Sequence, residues 1–187
     1  MRVISGKARG KRLEALEGKD TRPTLDRIKE SLFNIIQFDI ENAVVLDLFA
    51  GSGSLGIECL SRGAKEVVFC DNSGLAIDII NTNIRNTKFE AESIVIKNDY
   101  TNALKKAANQ NKKFDIIFLD PPYESDFATK ALELIVELEL LNENGIIIIE
   151  TNEAGTNLIL PEQNENIEMF ATRKYGSVVL IFIKKSS

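Results

Sequence analysis

At 187 residues, 44% hydrophobic and 27% charged, the chain is sized and composed for one globular domain with at most a small appendage. It has no histidine and two cysteines, which excludes Ser-His and Cys-His nucleophile pairs, His-containing zinc sites and an all-Cys zinc site. A net charge of −5 argues against indiscriminate coating of nucleic acid, yet the charge is uneven, with +5 in residues 1–29 and −10 in the remainder.

That asymmetry starts at the first residues. Arg2, Lys7, Arg9, Lys11 and Arg12 fall in a twelve-residue stretch without an acid, which reads either as a basic arm for phosphate contacts or as a solvated tail. No apolar segment follows, so no secretory signal is expected. No apolar run reaches membrane-spanning length, and a cytoplasmic protein is expected. Next, Thr24 to Phe38 predicts an amphipathic helix, with Leu25, Ile28, Leu32, Ile35 and Ile36 on one face and Arg22, Arg27 and Lys29 beside it. Residues 1–40 are thus expected to form a basic extension, and 41–187 the main domain.

From there, apolar strands alternate with helical patterns. Strands are expected at Val44–Phe49, Val67–Asp71, Ser93–Lys97, Phe114–Leu119 and Gly145–Glu150. Helices are expected over about Ser54–Arg62, Ser73–Asn86, Thr101–Gln110 and Ala128–Leu140. Strands this apolar belong to a parallel sheet covered on both faces, and the alternation is that of a doubly wound α/β fold. Ile167–Arg173 and Val178–Ile183, joined by Lys174 to Ser177, break the alternation and predict an antiparallel hairpin at one sheet edge. Cys59 falls in a predicted helix and Cys70 in a predicted strand, as buried thiols would.

Two segments carry chemistry. Gly51 to Gly56 spells G-x-G-x-x-G between a strand and a helix, the context in which that turn approaches a nucleoside cofactor closely. Asp71, 20 residues after Gly51, stands where a ribose hydroxyl pair is gripped. A dinucleotide would set its pyrophosphate on the helix N-terminus. Asp47 at the end of the preceding strand opposes that and favours S-adenosylmethionine, whose ammonium it could pair. Too few residues remain for the substrate domain a dehydrogenase usually carries. Asp99 is placed either to meet the adenine amino group or to cap the following helix.

The second segment is Asp120-Pro121-Pro122-Tyr123, directly after the strand FDIIFL and facing the same crevice. A nucleobase amino group is a poor nucleophile because its lone pair is delocalised into the ring. Two acceptors, the Asp120 carboxylate and the Pro121 carbonyl, could hold both N–H bonds and free that lone pair. Prolines add stiffness and no competing donor. Tyr123 offers a stacking face for an extruded base.

More specific still are Gly6 to Leu13 (GKARGKRL), Thr21 to Arg27 (TRPTLDR), Leu32-Phe33-Asn34 and Arg173 to Gly176. With the glycine turn and DPPY, these make the chain resemble, along nearly its whole length, the RsmD family of 16S rRNA (guanine-N2)-methyltransferases. The resemblance implies a Rossmann-like, mostly parallel seven-stranded class I methyltransferase sheet with a C-terminal antiparallel hairpin and a small basic N-terminal extension. It implies S-adenosylmethionine held by Asp47, Gly51, Gly53, Asp71 and Asp99, with their neighbours Ala50, Ser52, Asn72 and Tyr100. It places the base at Asp120 to Tyr123, without a metal, and small-subunit rRNA, in an assembled or assembling 30S particle, as the partner. Arg9, Lys11, Arg12, Arg22 and Arg27 are the candidate RNA contacts. The chain departs from the family at Ser73, where a second acid is common, and at Tyr100, where a small residue is usual. Adenine-N6 methylation by the same DPPY, NAD-linked oxidoreduction and a non-catalytic RNA-binding role are the competing readings.

Overall fold

The computed structural model describes residues 1–16, 23–122, 126–152 and 166–186. In chain order it comprises α1 (Pro23–Ile35), β1 (Val44–Asp47), α2 (Ser54–Ser61), β2 (Glu66–Asp71), α3 (Gly74–Thr87), β3 (Ser93–Lys97), α4 (Tyr100–Asn109), β4 (Phe114–Leu119), α5 (Phe127–Glu137), β5 (Leu141–Asn152), β6 (Ile167–Tyr175) and β7 (Val178–Lys185). All seven strands join one sheet in the order β3-β2-β1-β4-β5-β7-β6. The first five in that order pair in parallel, and β7 pairs antiparallel with both β5 and β6. The expected hairpin therefore closes one edge, with β6 outermost.

Near-continuous apolar runs build the centre of this sheet because both its faces are covered. Val45, Val67, Ile116 and Ile148 belong to one hydrophobic cluster and Leu46, Val68, Ile117 and Ile149 to the other, as strand alternation requires. Cys59 and Cys70 are both buried free thiols, and burial, followed by the charge of Asp71, pushes the Cys70 thiol up to about 12.

Element ends shift for identifiable reasons. α5 stops at Glu137 rather than Leu140. Glu139 takes φ 50° and the Leu140 N–H turns back to the Ile135 carbonyl at 3.0 Å, a left-handed helix ending. β5 begins at Leu141, before Gly145, because Leu141 already pairs with Phe114 ahead of a register shift. α1 ends at Ile35, and a turn with Asp39 N–H on the Ile36 carbonyl buries Ile36 and Ile40 while leaving Phe38 on the surface. Ile28, Leu32 and Ile36 are buried as the helical spacing predicts. The Leu25 side chain lies outside the described residues.

The basic N-terminal stretch folds back on itself. Val3 N–H donates to the Lys11 carbonyl and Gly10 N–H to the Val3 carbonyl, both at 2.9 Å, and Arg2 bridges Arg12 antiparallel. Val3, Ala8 and Leu13 of this hook are buried in the same cluster as α1 and one face of the sheet. Its charged side chains, Lys7, Arg9, Lys11 and Arg12, all lie exposed.

Candidate active site

Chain order reverses at β1: β2 lies on one side of it and β4 on the other. Open α/β sheets bind ligands outside the carboxyl ends of the strands at such a switch point. Acids stand at the carboxyl ends of four neighbouring strands there. Asp47 and Asp71 are the last residues of β1 and β2, Asp99 follows β3 by two residues, and Asp120 follows β4 directly. Asp47 pairs with Phe118, and the Leu48 N–H donates to the Phe118 carbonyl at 3.2 Å, so the turn after β1 and the turn after β4 leave the sheet side by side.

The glycine turn is held from both flanks. Ala50 N–H donates to the Cys70 carbonyl and Gly51 N–H to Asp71 Oδ2, each at 2.9 Å. Gly51 and Gly53 take φ 56° and 75°, left-handed values that L side chains rarely adopt. Gly56 serves close packing instead, since a Cβ there would sit 2.3 Å from the Phe69 ring. Asp47 is buried, and its Oδ2 accepts the Gly56 N–H at 3.1 Å. A protein carboxylate thus already occupies one of the free donors at the α2 N-terminus, which disfavours a pyrophosphate there and favours a cationic ligand group.

Asp71 accepts Ser73 N–H on its other oxygen at 2.9 Å, and Ser73 itself caps α3, its hydroxyl accepting from Ala76 N–H. The usual second acid is therefore replaced by a helix cap. Asn72 is exposed beside it. Asp99 caps α4, accepting Asn102 N–H at 3.0 Å and the Asn102 side-chain amide at 2.6 Å. The Asn102 backbone bond is the main reason its carboxyl lies below the ordinary carboxylate value. Tyr100 turns into an aromatic cluster with Phe49 at 5.6 Å and Phe127 at 5.4 Å, joining the turn after β1 to the first residues of α4 and α5. The spacing within each loop gave no sign of this three-way contact.

Beyond β4, Asp120 is half-buried, Pro121 buried and Pro122 exposed. Tyr123 and Arg22 lie outside the described residues, while Arg27 is exposed on α1.

The sequence reading missed the residues that dock the hook. Glu58 of α2 is fully buried, and its carboxylate accepts Ile4 N–H at 2.8 Å and Ser5 N–H at 3.0 Å. It also pairs with Lys29 at 3.0 Å and Arg62 at 2.9 Å. Ser61 accepts Ala8 N–H on its hydroxyl and Lys7 N–H on its carbonyl. Gly6 is obligatory here, because a Cβ would stand 1.8 Å from the Ser61 carbonyl oxygen. The one available signal was an acid inside the apolar helix SLGIECLS.

Strand order, terminal hairpin and acid-bearing turns together define the class I methyltransferase fold, and the chain is an enzyme of that class. It superposes with TM-score 0.85 and 28% identity on a provisionally named methyltransferase of Escherichia coli, covering 100% of this chain and 98% of that one. The family described as Conserved hypothetical protein 95 matches residues 1–184, and the chain belongs to it, the RsmD family. A relative in Bacillus subtilis strain 168, provisionally named an rRNA methyltransferase, is 40% identical over 185 residues, 99% of each chain. Ribosomal RNA small subunit methyltransferase D of Haemophilus influenzae is 40% identical over 163 residues, covering 87% of this chain and 83% of its own.

Proposed function

We propose that the chain transfers a methyl group from S-adenosylmethionine to the exocyclic N2 amine of a guanine in 16S ribosomal RNA. The observation that carries this reading is the row of four acids along the carboxyl ends of β3, β2, β1 and β4, with Asp120-Pro121-Pro122 beside the glycine turn. The relatives named for small-subunit rRNA support the substrate class.

The residues present fit the cofactor. Asp47 would pair with its ammonium, Asp71 would accept from its ribose hydroxyls, and Asp99 would accept from the adenine amine. Ala50 to Gly53, Asn72 and Tyr100 would line the site. Carboxylates that already accept one bond per oxygen keep further lone pairs for this. Once bound, S-adenosylmethionine supplies a methyl group activated by a sulfonium.

The chain's own residues do the rest. Asp120 and the Pro121 carbonyl accept the two N–H bonds of the guanine amine and turn its lone pair toward the methyl group. Asp120 then takes the proton the amine releases. Tyr123 stacks on the extruded base. In-line transfer depends mainly on this positioning. Arg9, Lys11, Arg12, Arg22 and Arg27 would hold phosphates of the RNA. Subunits assemble in the cytoplasm, where the enzyme would meet them in assembled or assembling 30S particles.

The test is methyl transfer to small subunits from cells lacking the gene, followed by mass analysis of the nucleosides. N2-methylguanosine is expected. N6-methyladenosine would select the adenine reading instead, and no methyl uptake would return the chain to a binding role.

A further inference from the structure

Asn83 sits on the buried face of α3 and is fully buried, yet no reading of the site uses it. Its three hydrogen bonds leave the helix entirely. Oδ1 accepts the Glu14 N–H at 2.8 Å, while Nδ2 donates to the Glu14 carbonyl at 3.0 Å and to the Ser52 carbonyl at 2.9 Å. Two carbonyl partners fix which end of the amide is nitrogen. Glu14 closes the hook and Ser52 lies inside the glycine turn. One side chain therefore spans the two segments assigned to RNA and to the cofactor.

The geometry makes the bonds interdependent. The paired bonds to Glu14 fix the amide plane, and that plane aims the remaining N–H at the Ser52 carbonyl. If the hook lifts, the plane is released and the turn loses its buried anchor. Two further contacts run in parallel between the same segments. Lys29 Nζ donates to the Arg2 carbonyl at 2.9 Å and to Ser54 Oγ at 3.0 Å, and the Ser52 hydroxyl lies 3.8 Å from Met1 Sδ.

We propose that Asn83 is a positioning residue that couples the hook to the glycine turn, so that RNA and cofactor each strengthen the binding of the other. This rests on the proposed function, in which the hook contacts RNA and the turn holds S-adenosylmethionine. RNA held by Arg9, Lys11 and Arg12 restrains the motion of the docked hook. The docked hook orders the turn, and by linkage a filled turn holds the hook.

The experiment measures the affinity of S-adenosylhomocysteine for the full chain by calorimetry, alone and with saturating undermethylated 30S subunits. For the unaltered chain, subunits should tighten S-adenosylhomocysteine binding roughly fivefold or more. Asn83→Asp keeps the acceptor for Glu14 N–H but turns a carboxylate oxygen on both carbonyls, and the factor should fall at least about twofold, the parallel Lys29 and Met1 contacts keeping the remainder. Thr87→Val is the control for stability. Thr87 lies one turn along α3 and, among the described residues, its hydroxyl bonds the helix's own Asn83 and Ile84 carbonyls, so its variant should lose melting temperature while keeping the coupling.

A factor that survives undiminished in Asn83→Asp, or that falls equally in Thr87→Val, would overturn the role of Asn83. An unaltered chain that binds both partners without coupling would also overturn it. An unaltered chain that binds no S-adenosylhomocysteine or no subunits fails at the proposed function, and the coupling falls with it.

Discussion

Glu58→Gln tests whether the hook is part of the folded body or an appendage. The carboxylate is fully buried and accepts from four donors: Ile4 N–H, Ser5 N–H, Lys29 and Arg62. The amide keeps the shape but removes the charge that balances Lys29, and one side of it now faces two donors with its own N–H groups. Lys29 is itself buried. Burial pulls its ammonium below the ordinary lysine value and the Glu58 charge partly restores it. Removing one member of a buried pair costs about 3–5 kcal/mol. For a domain of this size each kcal/mol shifts Tm by about 2–4 °C, giving a fall of roughly 6–20 °C. Thermal unfolding reads the global loss, and amide hydrogen exchange at Ile4 and Ser5 reads the local one. If the hook simply releases, exchange at those two amides accelerates while Tm falls toward the small end of the range. A variant with Tm within about 2 °C of the parent and both amides still protected would refute the argument.

Asp120→Asn should lower kcat for methyl transfer on the order of 10²- to 10³-fold, as loss of one preorganised polar partner does, while calorimetry shows S-adenosylhomocysteine binding unchanged. Full activity in that variant would remove Asp120 from the chemistry. Arg9→Ala and Arg12→Ala should each reduce the salt slope of RNA binding by about 1 and leave S-adenosylhomocysteine affinity in the absence of RNA alone. An unchanged slope would make the exposed hook charges a solvated surface. Both thiols should resist a disulfide reagent at pH 8 in the native protein and titrate fully in guanidinium, because Cys59 and Cys70 are buried and their pKa values raised. Native reactivity at either would contradict the packing of α2 or β2 against the core.

The central sheet was legible because its strands are buried on both faces. A run such as FDIIFL has one plausible fate, and the order of runs and helices then determines the winding. Helix ends were less legible where a single backbone torsion decides them, as Glu139 does for α5. The hook was illegible for a different reason. Its docking depends on main-chain N–H groups at residues 4, 5, 8 and 14, which carry no side-chain identity. Their acceptors, Glu58, Ser61 and Asn83, lie more than 50 residues away. Composition could register that residues 1–12 are basic. It could not register that Val3, Ala8 and Leu13 turn inward while the charges turn out.

Within the site, the positions of the acids were readable but their occupations were not. Asp99 shows why. An acid just after a strand and before a helix satisfies a cap and a ligand contact equally well in sequence, and in the fold it makes the cap bonds while remaining exposed at the switch point. Asp47 is the opposite case. The sequence argument set it against a pyrophosphate by charge alone. The fold adds that its oxygen takes the Gly56 N–H, one of the very donors a phosphate would need. The glycine spacing is therefore compatible with several nucleoside cofactors, and the bond made by a residue outside that spacing discriminates among them.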